Sequence, residues 1–353
     1  MIRSRISVVT SSAVMAEKIG LTTAASTATS SSVRRPKVFV TRNVPSPALD
    51  LLKQRFEVAQ WKSDVPIPRP ELEKGVHDCD ALFCLLTDKI DEELLQQAQR
   101  LKVVATMSVG YDHLDLAACR KRCLKLGYTP EVLTEATAEL TVSLLLCTAR
   151  RLIEANRAVH SGTWGTWGPM WMLGKGIKGS TVGILGLGRI GLSVAEKLLP
   201  FQPRKIQYYN PSTRPEAATR LGIEFVEWQE FLSSSDFVII CCQLNEKTRN
   251  LFSFETFKQM KPDSILINTS RGPVVDQGAL LHALVNGQIR AAGLDVCTPE
   301  PLPTDDRLLS LKNCVILPHI GSATEETRTR MATLTAENIL AGLDDLPLPC
   351  AIP

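Results

Sequence analysis

One stretch constrains the fold of this chain more than any other. The apolar run Thr181-Val-Gly-Ile-Leu185 leads directly into Gly186-Leu-Gly-Arg-Ile-Gly191, which opens the amphipathic run Ile190–Leu199. A strand, a glycine turn and a helix in immediate succession form the first half of a βαβ unit, and such units build parallel sheets covered by helices. Gly186 permits the tight turn, Gly188 lets backbone amides approach a pyrophosphate, and Gly191 lets the helix pack closely on its strand. The start of the helix, at Arg189 and Ile190, offers partial positive charge to phosphates. A glycine string alone also marks an empty turn; the strand before it and the helix after it point to a bound dinucleotide.

The rest of the chain repeats this alternation in two blocks. In the first, Lys37–Thr41, Phe56–Trp61, Ala81–Leu86 and Leu101–Met107 read as strands, with helical spacing over Ala48–Arg55 and Pro70–Val76. From Thr134 or Glu135 a long helix is expected through to Arg151, followed by the glycine- and tryptophan-rich loop Ser161–Trp171. The second block has strands at 181–185, 205–209, 237–242, 264–268, 291–295 and 314–317, a helix at 189–199, and a closing helix from about Ser322 to Gly342. The expected architecture is α/β, with two Rossmann-like or flavodoxin-like parallel-sheet domains. A nucleotide domain (135–317) is inserted into a discontinuous substrate domain (37–134 and 318–353), and sites in such proteins lie in the cleft between domains.

Charge and cysteine usage exclude several classes of protein. The net charge of +3 sits in residues 1–36, where Arg3, Arg5, Lys18, Arg34 and Arg35 oppose Glu17 alone, leaving −1 for the remainder. A near-neutral body without a basic stripe argues against nucleic-acid binding. No apolar run approaches the ~18–20 residues of a membrane helix. The ten cysteines include no CxxC pair and no zinc-like spacing with histidine, so no metal site is expected and a reducing compartment is the simplest reading. The acid-poor, Ser/Thr/Ala-rich leader has the composition of a mitochondrial transit segment; a disordered leader, or a start at Met15, is the alternative, so the location is cytoplasmic or mitochondrial.

The end of the second nucleotide-domain strand bears on which dinucleotide binds. NAD sites usually place an acid about 20 residues after the glycine turn, against the ribose 2′-hydroxyl. Here the chain reads Tyr208-Tyr-Asn-Pro-Ser-Thr-Arg214, with no acid between Glu196 and Glu216. Ser212, Thr213 and Arg214 suit a 2′-phosphate, which favours NADP(H). NAD(H) stays open, because Pro211 stands where a basic contact would serve.

Two further residues fit a charged substrate. Arg271, in Asn268-Thr-Ser-Arg-Gly-Pro273, follows an apolar strand, where α/β folds place ligands, and guanidinium grips a planar carboxylate through two parallel hydrogen bonds. His319 alone among five histidines stands in a Pro-His-Ile-Gly-Ser turn at a strand end; His113 is a weaker candidate near a substrate loop. Glu300, in Asp295-Val-Cys-Thr-Pro-Glu-Pro301, is a candidate partner, since a carboxylate favours imidazolium and lets it donate a proton.

With these phrases assembled, the chain resembles the D-isomer-specific 2-hydroxyacid dehydrogenases, and among them the animal glyoxylate/hydroxypyruvate reductases. Besides the glycine turn, the matching segments are Met107-Ser-Val-Gly-Tyr-Asp-His113, Thr137-Ala-Glu-Leu140, Ser270-Arg-Gly272, Ala292-Gly-Leu-Asp-Val296, Glu300-Pro-Leu-Pro303 and Pro318-His-Ile-Gly-Ser322, in order over about 37–345. The resemblance implies NADPH-dependent reduction of glyoxylate to glycolate and of hydroxypyruvate to D-glycerate. It assigns Arg271 to the substrate carboxylate and keto oxygen, His319 to acid–base work supported by Glu300, and the amides of Val109 and Gly110 to the carboxylate. Asp295 would hold the nicotinamide carboxamide, with Thr269 and Gly321 as further cofactor contacts. Trp167 would reach a neighbouring subunit's cleft, and a homodimer is expected; the other reading of Trp164, Trp167 and Trp171 is that they bury apolar surface at a subunit contact. Two alternative functions stay in view: another member of the family, such as a phosphoglycerate or formate dehydrogenase, and a dinucleotide-gated, corepressor-like binding protein. A formate dehydrogenase would carry Gln where this chain has Glu300, and no regulatory domain is expected beyond the closing helix.

Overall fold

In a computed structural model, residues 34–353 are described; all but the last three residues of the expected leader lie outside them. The strands are β1 (Lys37–Val40), β2 (Glu57–Gln60), β3 (Ala81–Cys84), β4 (Val103–Thr106), β5 (Lys125–Gly127), β6 (Thr181–Leu185), β7 (Lys205–Tyr209), β8 (Glu224–Phe225), β9 (Phe237–Ile240), β10 (Ile265–Asn268), β11 (Ala291–Leu294) and β12 (Cys314–Ile316). They form two wholly parallel sheets, ordered β2-β1-β3-β4-β5 and β12-β11-β10-β9-β6-β7-β8. Central strands such as β3, β4, β9 and β10 are buried along their whole length, which is why Ala-Leu-Phe-Cys and Phe-Val-Ile-Ile are continuous apolar runs and do not alternate.

The fold class is the expected pair of parallel-sheet α/β layers. The closing helix, Glu325–Leu343, packs back against β3, β4 and β5 and the helix Ser46–Lys53, burying Met331, Ala332 and Ile339 with the first sheet's core. Helix Thr134–Ala149 instead packs against β10, β11 and β12 and the helix Arg189–Leu198, so Leu144 and Leu145 join the second sheet's core.

Some sequence expectations require correction. The helix from Thr134 does not run through Arg151. It ends at Ala149, Arg151 takes a left-handed conformation (φ 55°), and a new helix, Leu152–His160, departs. The cause is a distant segment: Lys175 N–H donates to the Ala149 carbonyl at 2.8 Å, taking an acceptor that would have extended the helix. Strand β5 and the two-residue β8 are additions to the expected set, since Lys-Leu-Gly and Glu-Phe are too short to show a period. The closing helix starts at Glu325, where the Thr324 side chain accepts from Thr327 N–H, rather than at Ser322.

Register matters most for the site. Asn268, Leu294 and Ile316 are consecutive partners across β10, β11 and β12. The residues that follow these strands, Thr269–Arg271, Asp295 and Leu317–His319, are therefore delivered side by side at one edge. Strand β6 lies between β7 and β9, the point where strand order reverses, and ligands bind at such switch points.

Candidate active site

The glycine turn is built by close approach. Gly186 has φ +96°, and a Cβ there would lie 2.6 Å from Cys242 N, because the turn is pressed against the end of β9. A Cβ on Gly191 would lie 2.3 Å from Gly186 O, so the helix Arg189–Leu198 sits directly on the turn. Gly188 is different: a Cβ there would meet nothing within 4 Å, and the space in front of the helix N-terminus is open. Leu187 N–H donates to Asn210 Oδ1 at 2.8 Å, which ties the turn to the end of β7. Arg189 extends to an exposed ion pair with Glu131 at 2.9 Å, and Ile190 lines the cleft. An unobstructed helix start beside a strand end without a carboxylate fits a dinucleotide's phosphates and ribose. Ser212, Thr213 and Arg214 are exposed on that strand-end loop, where Arg214 N–H donates to the hydroxyl of buried Tyr208 at 2.8 Å. Among the described residues the Arg214 guanidinium has no ion-pair partner.

The reacting groups converge in the cleft between the two sheets. His319 Nδ1 lies 2.7 Å from Glu300 Oε2, and the other carboxylate oxygen of Glu300 accepts from Cys297 N–H at 3.0 Å. Burial opposes charge on Glu300, but His319 and the Cys297 amide outweigh it and hold the carboxyl below its ordinary range. His319 itself has φ 53°, and Asp295 fixes its turn. The Asp295 carbonyl accepts from His319 N–H at 2.9 Å, and its carboxylate oxygens accept from Ile320 and Gly321 N–H, each at 2.8 Å. Burial raises the Asp295 carboxyl above its ordinary range despite these bonds.

Arg271 enters the same cleft from β10. Its Nε donates to Asp112 Oδ1 at 3.0 Å and its Nη1 to the Ser270 carbonyl at 2.8 Å. Val109 and Gly110 form the opposite wall, and a Cβ on Gly110 would lie 1.7 Å from Arg271 Nη2. Thr269 lines the cleft and shares a 2.7 Å hydrogen bond between hydroxyls with Thr141.

Residues 142–321 match the sequence profile of the NAD-binding domain of D-isomer specific 2-hydroxyacid dehydrogenases. A human glyoxylate reductase/hydroxypyruvate reductase is 51% identical over 320 residues, spanning 90% of this chain and 98% of that one. The chain belongs to the D-isomer specific 2-hydroxyacid dehydrogenases. Members of this family are NAD(P)-dependent oxidoreductases acting on CH–OH groups, and this chain is one of them. Among solved structures, a protein of Thermus thermophilus superposes with TM-score 0.85 at 42% identity, covering 90% of this chain and 100% of that one. An NADPH-dependent glyoxylate/hydroxypyruvate reductase from Sinorhizobium meliloti, solved with NADP and malonate, superposes with TM-score 0.78 at 29% identity, covering 90% and 97%.

Trp167 stands apart from the other residues that the family resemblance points to. It is 84% exposed on the loop after Leu152–His160, and it does not line this chain's cleft. Three residues that do line the cleft have no role that the sequence assigns. Asp112 is part of a matching phrase, but nothing local marks its tie to a residue 159 positions away. Arg328, in the first turns of the closing helix, lines the cleft as well; burial pushes its guanidinium down and Asp295 partly offsets this. Cys242 lies against the glycine turn, and burial pushes its thiol up to about 11, so it stays protonated. His113, the weaker histidine candidate, is held behind the Val109–Gly110 loop. Burial lowers it to about 4, and its Nε2 lies 3.0 Å from Thr106 Oγ1, so it is neutral at physiological pH.

Proposed function

We propose that this protein reduces glyoxylate to glycolate and hydroxypyruvate to D-glycerate with NADPH as the preferred cofactor. The observation that carries the reading is His319, which lies 2.7 Å from Glu300 and lines the same cleft as Arg271. A bound reduced nicotinamide dinucleotide supplies the hydride to the keto carbon. Arg271 binds the substrate carboxylate and keto oxygen, with the amides of Val109 and Gly110 completing the cradle. Because Nδ1 of His319 is engaged by Glu300, Nε2 is the atom that gives its proton to the keto oxygen, and Glu300 stabilises the charged imidazolium until then. Asp295 orients the His319–Gly321 turn and would hold the nicotinamide carboxamide.

The glycine turn Gly186–Gly191, Thr269 and Gly321 would hold the cofactor. Ser212, Thr213 and Arg214 would receive a 2′-phosphate, supported by the acid-free end of β7 and by the use of Asn210 to brace the turn. High identity to glyoxylate reductase/hydroxypyruvate reductases over nearly their whole length supports the substrate pair.

The same reading includes a homodimer. Leu152, Val159, Trp164, Trp167, Met170 and Trp171 are large, exposed and close together in sequence, beside a groove lined by Arg151, Arg157 and Arg290. A second copy would cover this apolar surface and bring Trp167 to its partner's cleft. Among the described residues no helix is long and apolar enough to cross a membrane, and the basic leader is consistent with a mitochondrial as well as a cytoplasmic pool.

The test is NADPH oxidation by purified protein with each keto acid, repeated with NADH, together with the oligomeric mass in solution. Absence of turnover with both cofactors on both acids would remove glyoxylate and hydroxypyruvate as the substrates. Turnover confined to 3-phosphohydroxypyruvate, the keto acid of 3-phosphoglycerate, would redirect the reading within the family.

A further inference from the structure

Arg271 is held in place by a residue from the opposite sheet. It projects from the end of β10 across the cleft to the loop Ser108–Asp112 that follows β4. A guanidinium has five N–H donors in a fixed plane. Here the Nε–H goes to Asp112 Oδ1 at 3.0 Å and one Nη1–H to the Ser270 carbonyl at 2.8 Å. The Nη2 end, pressed over Gly110, is the part left to meet a carboxylate.

The loop that carries Asp112 is braced from behind. Ser108 Oγ donates to the Gly110 carbonyl at 2.6 Å, Thr106 Oγ1 lies 2.8 Å from Ser108 Oγ, and His113 Nε2 lies 3.0 Å from Thr106 Oγ1. Ile90 N–H donates to the His113 carbonyl at 3.0 Å. Asp112 therefore sits on a fixed support, while Arg271 is a long side chain with several rotatable bonds. In such a pair the short, anchored carboxylate sets the direction of the guanidinium. Arg271 in turn offsets the burial of Asp112 and keeps its carboxyl below the usual range, so the pair is intact at neutral pH.

We propose that Asp112 is a positioning residue for substrate: it grips the Nε edge of Arg271 and aims the Nη2 end at the keto acid's carboxylate. The proposal rests on the reading of Arg271 as the carboxylate anchor. Asp112 acts as an acceptor at a fixed place; its charge is secondary and disfavours the incoming anion. It touches the substrate only through Arg271, so its effect belongs in KM.

The experiment compares Asp112→Ala, Asp112→Asn and Arg271→Ala by KM and kcat for glyoxylate, with NADPH affinity measured by nucleotide fluorescence. Asp112→Ala is expected to raise KM about tenfold or more, with kcat reduced less than threefold and NADPH affinity unmoved. Asp112→Asn, whose amide oxygen still accepts from Nε, should bring KM back to within threefold of the wild-type value or below it. A KM for Asp112→Ala within twofold of wild type, while Arg271→Ala raises it strongly, overturns the positioning role and leaves the anchor standing. Equal impairment in Asn and Ala variants overturns it as well, since the acceptor would then not be what matters. An unmoved KM in Arg271→Ala removes the anchor reading itself. The Asn variant, nearly isosteric, keeps the test valid if the Ala variant fails to fold.

Discussion

Replacing Glu300 with Gln isolates the charge behind the proposed proton donor. The substitution conserves shape and an oxygen able to accept from Cys297 N–H, and it removes the negative charge 2.7 Å from His319 Nδ1. Full charges at that separation interact by about 1.5 kcal/mol at water's dielectric and by about 6 kcal/mol at an effective dielectric of 20. The two side chains are 25% and 32% exposed, which places the pair between these limits, near about 3 kcal/mol. At about 1.4 kcal/mol per tenfold, Glu300→Gln should lower kcat for glyoxylate roughly 10²-fold. His319→Gln, which removes the proton donor, should lower it by about 10²–10⁴. The two losses should not multiply. Glu300 acts through the imidazole alone, so the double variant should fall within about threefold of His319→Gln.

The assay is NADPH oxidation under saturating glyoxylate for all four proteins, with NADPH affinity and melting temperature as controls for site integrity. Wild-type turnover by Glu300→Gln would refute the electrostatic role. A double variant slower than His319→Gln by a further 10²-fold would show that Glu300 does something His319 does not transmit.

Three more outcomes follow from the geometry. Asp236 accepts from Lys261 at 2.8 Å, Lys175 at 3.2 Å and Thr181 N–H at 2.7 Å; burial opposes its charge, but these donors hold its carboxyl down at about 2. A carboxyl depressed in the folded state adds stability above its unfolded value near 3.8, and loses it as pH falls through the folded value. Asp236→Asn should therefore cost about 1–2 kcal/mol at pH 7 after allowance for solvent screening, and denaturant titrations should show that gap narrowing between about pH 5 and pH 2. Gly191→Ala should destabilise the fold by about 1–3 kcal/mol, because its Cβ meets the Gly186 carbonyl, whereas Gly188→Ala meets nothing and should spare the melting temperature while weakening NADPH binding. Arg214→Asp should move preference toward NADH, and an unmoved ratio of kcat/KM for the two cofactors would discard the 2′-phosphate contact.

What is legible in the sequence depends on how locally each feature is determined. Strand, glycine turn and helix are adjacent in the chain and can be read together, and Gly191 meets the Gly186 carbonyl within that same stretch, whereas the pressure on Gly186 comes from Cys241 and Cys242 at the distant end of β9. Gly188 is legible only as motif, since a Cβ there would meet nothing within 4 Å. The break at Arg151 is not legible because its cause, Lys175 N–H on the Ala149 carbonyl, lies a long loop away. Apolar patterning over 134–149 gives no sign of where the carbonyl is taken.

The cleft shows the same division one level up. Arg271, Asp295 and His319 each follow a strand of the second sheet, and their adjacency comes from the register of β10, β11 and β12. Strand ends can be guessed from apolar runs, so these residues can be nominated before their spacing is known. Asp112 and Arg328 reach the cleft from elements built on the other sheet. Their meeting with Arg271 and Asp295 depends on how the two sheets face each other, which no periodicity encodes. Substitutions at Arg271 and His319 thus probe groups nominated by strand position. Substitutions at Asp112 probe how the two halves combine, and the KM of Asp112→Ala against that of Asp112→Asn measures the second without disturbing the first.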